Sequence, residues 1–322
     1  VTAPSLSAID ALARGFANVR ANRELVLVQV ASGLLLAASI VVPLLYFFVR
    51  LGVPLKAFTA GTPEALAQSL AEMEVDFAQL ASTLGLGLLV MLVVGTIVFI
   101  LHCWFQAGTL AVLLAGEAQA PPARTAPAAV FRTFSWSGFV GWASRYGLRI
   151  FWVVNLFLLL ILLLLLLASL PFLFAAGLSG EEFSLVGCLI GCGLALPIGF
   201  ALLVIAMAMM VAQICAVEEG STALGSFRRG FRITGNRLGG LLLLYLLAIC
   251  GSLAVSTFFG AVGLLARFAL GGFPLAHSLL SAGLGVVELV LGVCVTLLMT
   301  AAAVALVRCE LRRPAAAAPP VA

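Results

Sequence analysis

The chain has 322 residues, of which 63% are hydrophobic and 9% charged, and carries a net charge of +4; its mean hydropathy is +1.23. That leaves too little polar surface to cover a water-soluble globule, so a lipid bilayer is the expected solvent. The small positive balance lies beside apolar runs instead of in a basic domain, so it implies no nucleic-acid partner.

In the first 24 residues Leu6, Ile9, Ala13, Phe16 and Val19 recur at three- and four-residue spacing, opposite Arg14 and Arg20. This is the pattern of an amphipathic helix lying among lipid headgroups on the cytoplasmic side. A spanning helix needs roughly 20 apolar residues, because every backbone amide in hydrocarbon must be bonded within its own segment. Six runs qualify, and they set an all-helical, six-span domain over residues 25–307: Leu25 to Val49, Leu84 to Leu114, Arg149 to Ala176, Ser184 to Ala216, Leu238 to Leu265 and Leu279 to Val307. Residues 308–322 read as an Ala- and Pro-rich cytoplasmic tail. The first run exceeds the roughly 7–15 apolar residues of a signal-peptide core, so a retained helix is expected.

The first outward connection holds a second helical pattern. Thr62 suits a cap, Pro63 a first helical position, and Leu66, Leu70, Met73, Phe77 and Leu80 form one stripe. Its polar face is acidic, which predicts packing on protein or an outward extension of span two. Between spans two and three come Glu117, a Pro-rich stretch, and then Phe131, Phe134, Trp136, Phe139, Trp142 and Tyr146 beside Arg132, Arg145 and Arg149, a composition suited to the membrane interface.

The connection between spans four and five follows a similar plan. Glu218, Glu219 and Gly220 precede an amphipathic segment with Leu224, Phe227 and Phe231 against Arg228, Arg229 and Arg232, and Arg237 opens span five. We read this as a weak internal duplication in which spans two and three mirror spans four and five. Of the 17 Lys and Arg residues, all but Arg50, Lys56 and Arg267 lie on the side of the N-terminal segment, so both termini are predicted to be cytoplasmic.

Candidate chemistry is sparse. HExxH, GxSxG, a phosphate-binding GxxxxGK[ST] and CxxC are all missing from the sequence, so no catalytic residue, metal site or cofactor is expected. His102 lies near the inner end of span two and His277 in the outer connection before span six, so they cannot meet on one side of the membrane. Cys188 and Cys192 share a helix face but have no His or carboxylate beside them in sequence, so they read as packing residues.

Glu288 is the exception, about nine residues into span six and thus roughly 13 Å deep. A carboxylate at that depth costs about 2.5–3.5 kcal/mol on insertion scales and faces a bundle or a wet cavity. It reads either as a polar site for a proton, cation or headgroup, or as a structural hydrogen bond to Ser252, Ser256 or Thr257 of span five. The inner polar residues His102, Gln106, Asn155, Gln213 and Tyr245 read as interhelical hydrogen bonds in preference to a vestibule lining. Arg228, Arg229, Arg232 and Arg237 are the candidate contacts for anionic lipid.

The stretches ALARGFANVRANRELVL (Ala11 to Leu27), QAGTLAVLLAGE (Gln106 to Glu117) and AVEEGSTALGSFRRGFRITGNRLGGLLLLYLL (Ala216 to Leu247) together resemble the bacterial six-helix family labelled glycerophosphoryl diester phosphodiesterase membrane domain. The resemblance implies the same six-helix fold in a bacterial inner membrane. That family is named for proteins in which the membrane domain is joined to a soluble phosphodiesterase barrel, and these 322 residues hold no long polar segment that would build one. The resemblance therefore brings no catalytic residues with it. The expected role is a non-enzymatic scaffold that organises membrane lipids or a membrane-protein partner, with a transporter or permease subunit built around Glu288 as the alternative.

Overall fold

The computed structural model describes residues 6–50, 77–121, 126–175, 181–270 and 273–312. Eight α-helices are described: α1 (Ala8–Ala21), α2 (Glu24–Arg50), α3 (Phe77–Gln119), α4 (Trp136–Ala175), α5 (Glu181–Glu218), α6 (Ala223–Asn236), α7 (Leu238–Leu270) and α8 (Pro274–Leu311), with a 3-10 turn at Ala128–Phe131. There is no strand among the described residues. Six helices, α2, α3, α4, α5, α7 and α8, are long and apolar enough to cross a bilayer, and the chain is a polytopic membrane protein.

Local chemistry sets the helix ends. Ser7 caps α1 by accepting from the amide of Asp10, and Thr222 caps α6 by accepting from Gly225. Gly220, at φ 61°, lets the chain reverse between α5 and α6 without the steric cost a Cβ would impose. The aromatic segment expected as a separate interfacial element is instead continuous with span three: α4 starts at Trp136 and runs without interruption to Ala175. Gly147 does not break it, because that residue sits against Trp104, whose Cα lies 3.2 Å from where a Cβ would be. Likewise α8 continues to Leu311, past the expected end of span six. Of the helix expected in the first outward connection, Phe77 and Leu80 fall in α3, and Thr62, Pro63, Leu66, Leu70 and Met73 lie outside the described residues.

The chain divides into two units, residues 1–28 with 104–322 and residues 29–103. In the larger unit the buried core sits at one end of the long helices, the end rich in arginine. It comprises Ala107 and Leu110 to Leu114 of α3, Met207 to Val217 of α5 and Leu297 to Val307 of α8, with Phe139, Ile150, Val153 and Phe157 of α4 and Leu241 and Leu244 of α7 around them. Beyond this level no further α4 side chain is buried among those described, and Leu159, Leu162 and Leu166 are about 60% or more exposed. Lipid tails are as apolar as leucine, so helices gain little by burying leucine against leucine inside a bilayer.

Two short helices brace the packed end. α1 lies along α8, with Ala8 and Ala11 against Ala302, Ala305 and Leu306. Gly15 makes that approach possible, since a Cβ there would fall 2.7 Å from the Ala302 nitrogen and 3.0 Å from the Leu298 carbonyl. α6 lies along α5 in the same way, and a Cβ on Gly230 would fall 2.6 Å from the Ala208 carbonyl. The two helices, each 14 residues long, carry the same tripeptide, Arg14-Gly15-Phe16 and Arg229-Gly230-Phe231, and each leads into a spanning helix. Within the described residues this likeness between α1 and α6 is closer than the one expected between the two connections, where a 3-10 turn and a continuous helix stand opposite a separate α6.

Backbone atoms cannot yield at these contacts. Gly230→Ala is therefore expected to lower stability by ~1–3 kcal/mol, whereas Gly235→Ala, whose added Cβ meets nothing within 4 Å, should not lower it. Thermal unfolding of the two purified variants in detergent compares them directly.

Candidate functional site

The arginine-rich end is held by ion pairs drawn from distant parts of the chain. Arg14 of α1 and Glu117 of α3 are 4% and 7% exposed, with Arg14 Nε donating to Glu117 Oε1 over 2.7 Å and Nη1 donating to the Pro121 carbonyl over 3.0 Å. The Arg14 guanidinium also lies 5.6 Å from the centre of the Phe131 ring. On the sequence pattern Arg14 belongs to a polar face in water. It is buried because α1 turns its small residues, not its largest apolar ones, toward α8, leaving Ile9 73% and Phe16 60% exposed.

The same face of α1 continues in asparagines. Asn18 donates to the Leu113 carbonyl, and Asn22 donates to the Phe131 carbonyl while its own carbonyl oxygen accepts from the amides of Thr133 and Phe134. Asn22 thus fixes the connection that feeds α4. Arg132, beside it, makes a two-toothed pair with Glu24 at 2.7 Å and donates to the Ala21 carbonyl. The Glu24 carboxylate holds the Arg132 guanidinium above its ordinary pKa.

On α8, Arg308 donates to the Leu114 carbonyl at the end of α3. Its Nε lies 3.0 Å from Glu218 Oε1 of α5, an ionic contact outside hydrogen-bond geometry. One guanidinium therefore joins the ends of α3, α5 and α8. Arg237, opening α7, donates to Glu310 over 2.7 Å. Glu117 Oε2 is buried with no hydrogen-bond partner.

Of the four arginines expected at lipid headgroups, two are therefore engaged within the protein: Arg229 with Glu219, and Arg237 with Glu310. Arg228 and Arg232 are exposed, one turn apart on α6, and form no ion pair with the described residues. Beneath them Phe227 and Phe231 pack on Phe157, with ring centres 4.7 and 5.5 Å away. The helix that presents these two charges is therefore fixed by Gly230 on one side and by aromatic contact on the other.

The intramembrane candidates lie elsewhere. Ser256 Oγ of α7 donates to Glu288 Oε1 of α8 over 2.7 Å. Ser252, one turn along α7, is exposed and makes no hydrogen bond to Glu288 among the described residues. Of the inner polar residues, Tyr245 donates across to the Ala206 carbonyl of α5, and Asn155 donates to Phe151 of its own helix. In the smaller unit Ser32 Oγ lies 2.9 Å from His102 Nδ1. Nothing is described of the side chains of Cys188 and Cys192. Among the described residues no three His, Cys, Asp or Glu side chains gather as metal ligands would.

The ion pairs were beyond the reach of sequence reasoning because Arg14 and Glu117 are 103 positions apart. The signal that would have pointed to them is the repeated Arg-Gly-Phe, whose glycine marks a helix face meant for close approach. Removing one partner of a buried pair strands the other, so Arg14→Ala should cost about 3–5 kcal/mol. The double replacement Arg14→Met with Glu117→Leu should recover most of that loss, and denaturant or thermal unfolding of the two variants would show it.

Set against protein-family models, curated proteins and solved structures, the chain matches none. What its own geometry gives is a six-span membrane protein in which five glutamates at the arginine-rich end are each paired with an arginine.

Proposed function

We propose that the protein is a non-enzymatic scaffold of a bacterial cytoplasmic membrane, with both termini in the cytoplasm, that gathers anionic lipid or a membrane-protein partner at its arginine-rich end. The pattern of Lys and Arg around the spans supports the orientation. The role rests on one observation above the others: Arg228 and Arg232 stand exposed and without ion partners among the described residues, on a helix held by Gly230 and by aromatic contact.

A pre-positioned pair of guanidinium groups binds phosphate without first losing backbone freedom, and each contributes roughly 1 kcal/mol near an anionic surface. The ion pairs favour a structural role over chemistry, because Arg14 with Glu117 and Arg237 with Glu310 are already bonded to each other.

The second reading, a transporter or permease subunit, is favoured by Glu288 alone, a carboxyl group far from either end of its helix and bonded to Ser256. The two readings separate experimentally. In the scaffold, Arg228→Ala with Arg232→Ala weakens the preference for anionic over zwitterionic lipid about tenfold or more, at roughly 1 kcal/mol per charge, as read by native mass spectrometry or vesicle binding. Equal binding of wild-type protein to both lipid classes would refute it. In the transporter, Glu288→Gln alters flux or ligand binding at unchanged stability, and wild-type behaviour in both removes the residue from the site.

A further inference from the structure

The glutamates of the arginine-rich end are taken: Glu24, Glu117, Glu218, Glu219 and Glu310 each hold an arginine. Arginines outnumber them there, and two of the remainder are held together. Arg145 and Arg149 stand one turn apart on α4, with their guanidinium carbons 5.5 and 5.7 Å from the centre of one ring, that of Tyr146. Neither forms an ion pair or a hydrogen bond with the described residues.

Arg149 is also drawn in against the chain. It is partly buried, and its Nη1 lies 3.0 Å from where a Cβ on Gly220 would be, at the turn between α5 and α6. That turn follows two acids, but Arg308 holds Glu218 and Arg229 holds Glu219. A permanently charged group with five donors is thus set against backbone with no acceptor bonded to it. Like charges one turn apart on a helix also repel each other, and no described acid pairs with either to offset this.

An anion from outside the chain meets both conditions. A carboxylate has two oxygens, which one guanidinium fork fills, whereas a phosphate group has oxygens for two forks. The helix also bears on what carries the phosphate. Arg149 stands where the apolar run of α4 begins, and Trp152, on the same stripe as Arg145 and 56% exposed, follows it into that run. Arginine and then tryptophan is the order of groups at a membrane surface, with guanidinium at phosphate and the ring at headgroup depth. Arg145, Tyr146, Arg149, Trp152 and Gly220 all belong to the larger unit.

We propose that Arg145 and Arg149, set on Tyr146 beside the Gly220 turn, form a site for one phosphate group, carried by a phospholipid of the membrane. The proposal rests on the reading that this end of the protein meets anionic lipid, but it places a separate site on α4 in which Arg228 and Arg232 take no part.

The test is lipid binding to the full chain in detergent, read by native mass spectrometry with phosphatidylglycerol added. Arg145→Gln with Arg149→Gln should weaken binding of the tightest lipid about tenfold or more, the scale of two charges near an anionic surface. Arg149→Lys, which keeps the charge and loses the fork, should weaken it less. Without lipid, the unfolding temperature of the double variant should not fall, because a repelling pair has been removed. A phosphatidylglycerol with a photoreactive headgroup should cross-link to α4 near Tyr146 in wild-type protein and not in the double variant. Inorganic phosphate in excess should not displace the lipid.

Undiminished binding or unchanged cross-linking in the double variant would overturn the proposal. Displacement by inorganic phosphate would do so as well, by giving the site to a soluble anion. A large drop in unfolding temperature without lipid would show that the two arginines are bonded within the protein, with the same result. Loss of binding in Arg228→Ala with Arg232→Ala, but not in the α4 variant, removes this site and leaves the scaffold reading standing. Wild-type protein indifferent to lipid charge removes both.

Discussion

Arg14 leaves water to meet Glu117, and the arrangement of the packed end depends on that exchange. Withdrawing a guanidinium and a carboxylate from solvent costs several kcal/mol for each ion, and the cost is offset only when geometry and further hydrogen bonds are good. Here the pair is close, Pro121 accepts a second bond from Arg14, and the Phe131 ring lies beside the guanidinium. Because the pair joins α1 to the end of α3, it also places Asn18 and Asn22, and Asn22 in turn sets the backbone at Thr133 and Phe134 from which α4 departs. A charge that sequence patterning assigns to a solvent face is thus the point from which three elements take their positions.

The location of the core follows from the solvent. Within the larger unit, side chains are fully buried near the arginine-rich helix ends and become exposed farther along. Near water, burying Ala, Val and Leu is favourable in the ordinary way. Inside lipid the same burial gains little, and small residues with close backbone contact or hydrogen bonds must hold helices together. The larger unit uses both. Gly15 and Gly230 bring helices to within backbone contact, and Tyr245 and Ser256 bond across helix pairs.

The sequence made the six helices readable because each span is an almost unbroken apolar run, a signal that does not depend on tertiary context. The ends of those helices were less readable. α4 begins at Trp136, about thirteen residues ahead of the apolar run, because helix geometry continues wherever nothing stops it and hydropathy marks only the part that meets lipid. The candidate sites divide similarly. A lone carboxylate in an apolar helix is conspicuous in any sequence, and Ser252, Ser256 and Thr257 could all be named as neighbours, but only side-chain packing selects Ser256. The four arginines on α6 and at its C-terminal cap look alike in sequence. Glu219 and Glu310 distinguish them, and the second of these lies 73 residues from the arginine it bonds.

The contact between α1 and α8 also bears on the order in which the protein can be made. The Ala302 and Leu298 backbone that receives Gly15 belongs to the last described helix, whereas α1 is the first. During synthesis α1 therefore leaves the ribosome long before its resting place exists, and must wait at the membrane surface while five spanning helices are inserted ahead of α8. Its exposed Ile9 and Phe16 suit that interval, since they give the helix an apolar side to rest on lipid until α8 arrives. Insertion of α8 is then also the step that draws α1 into place.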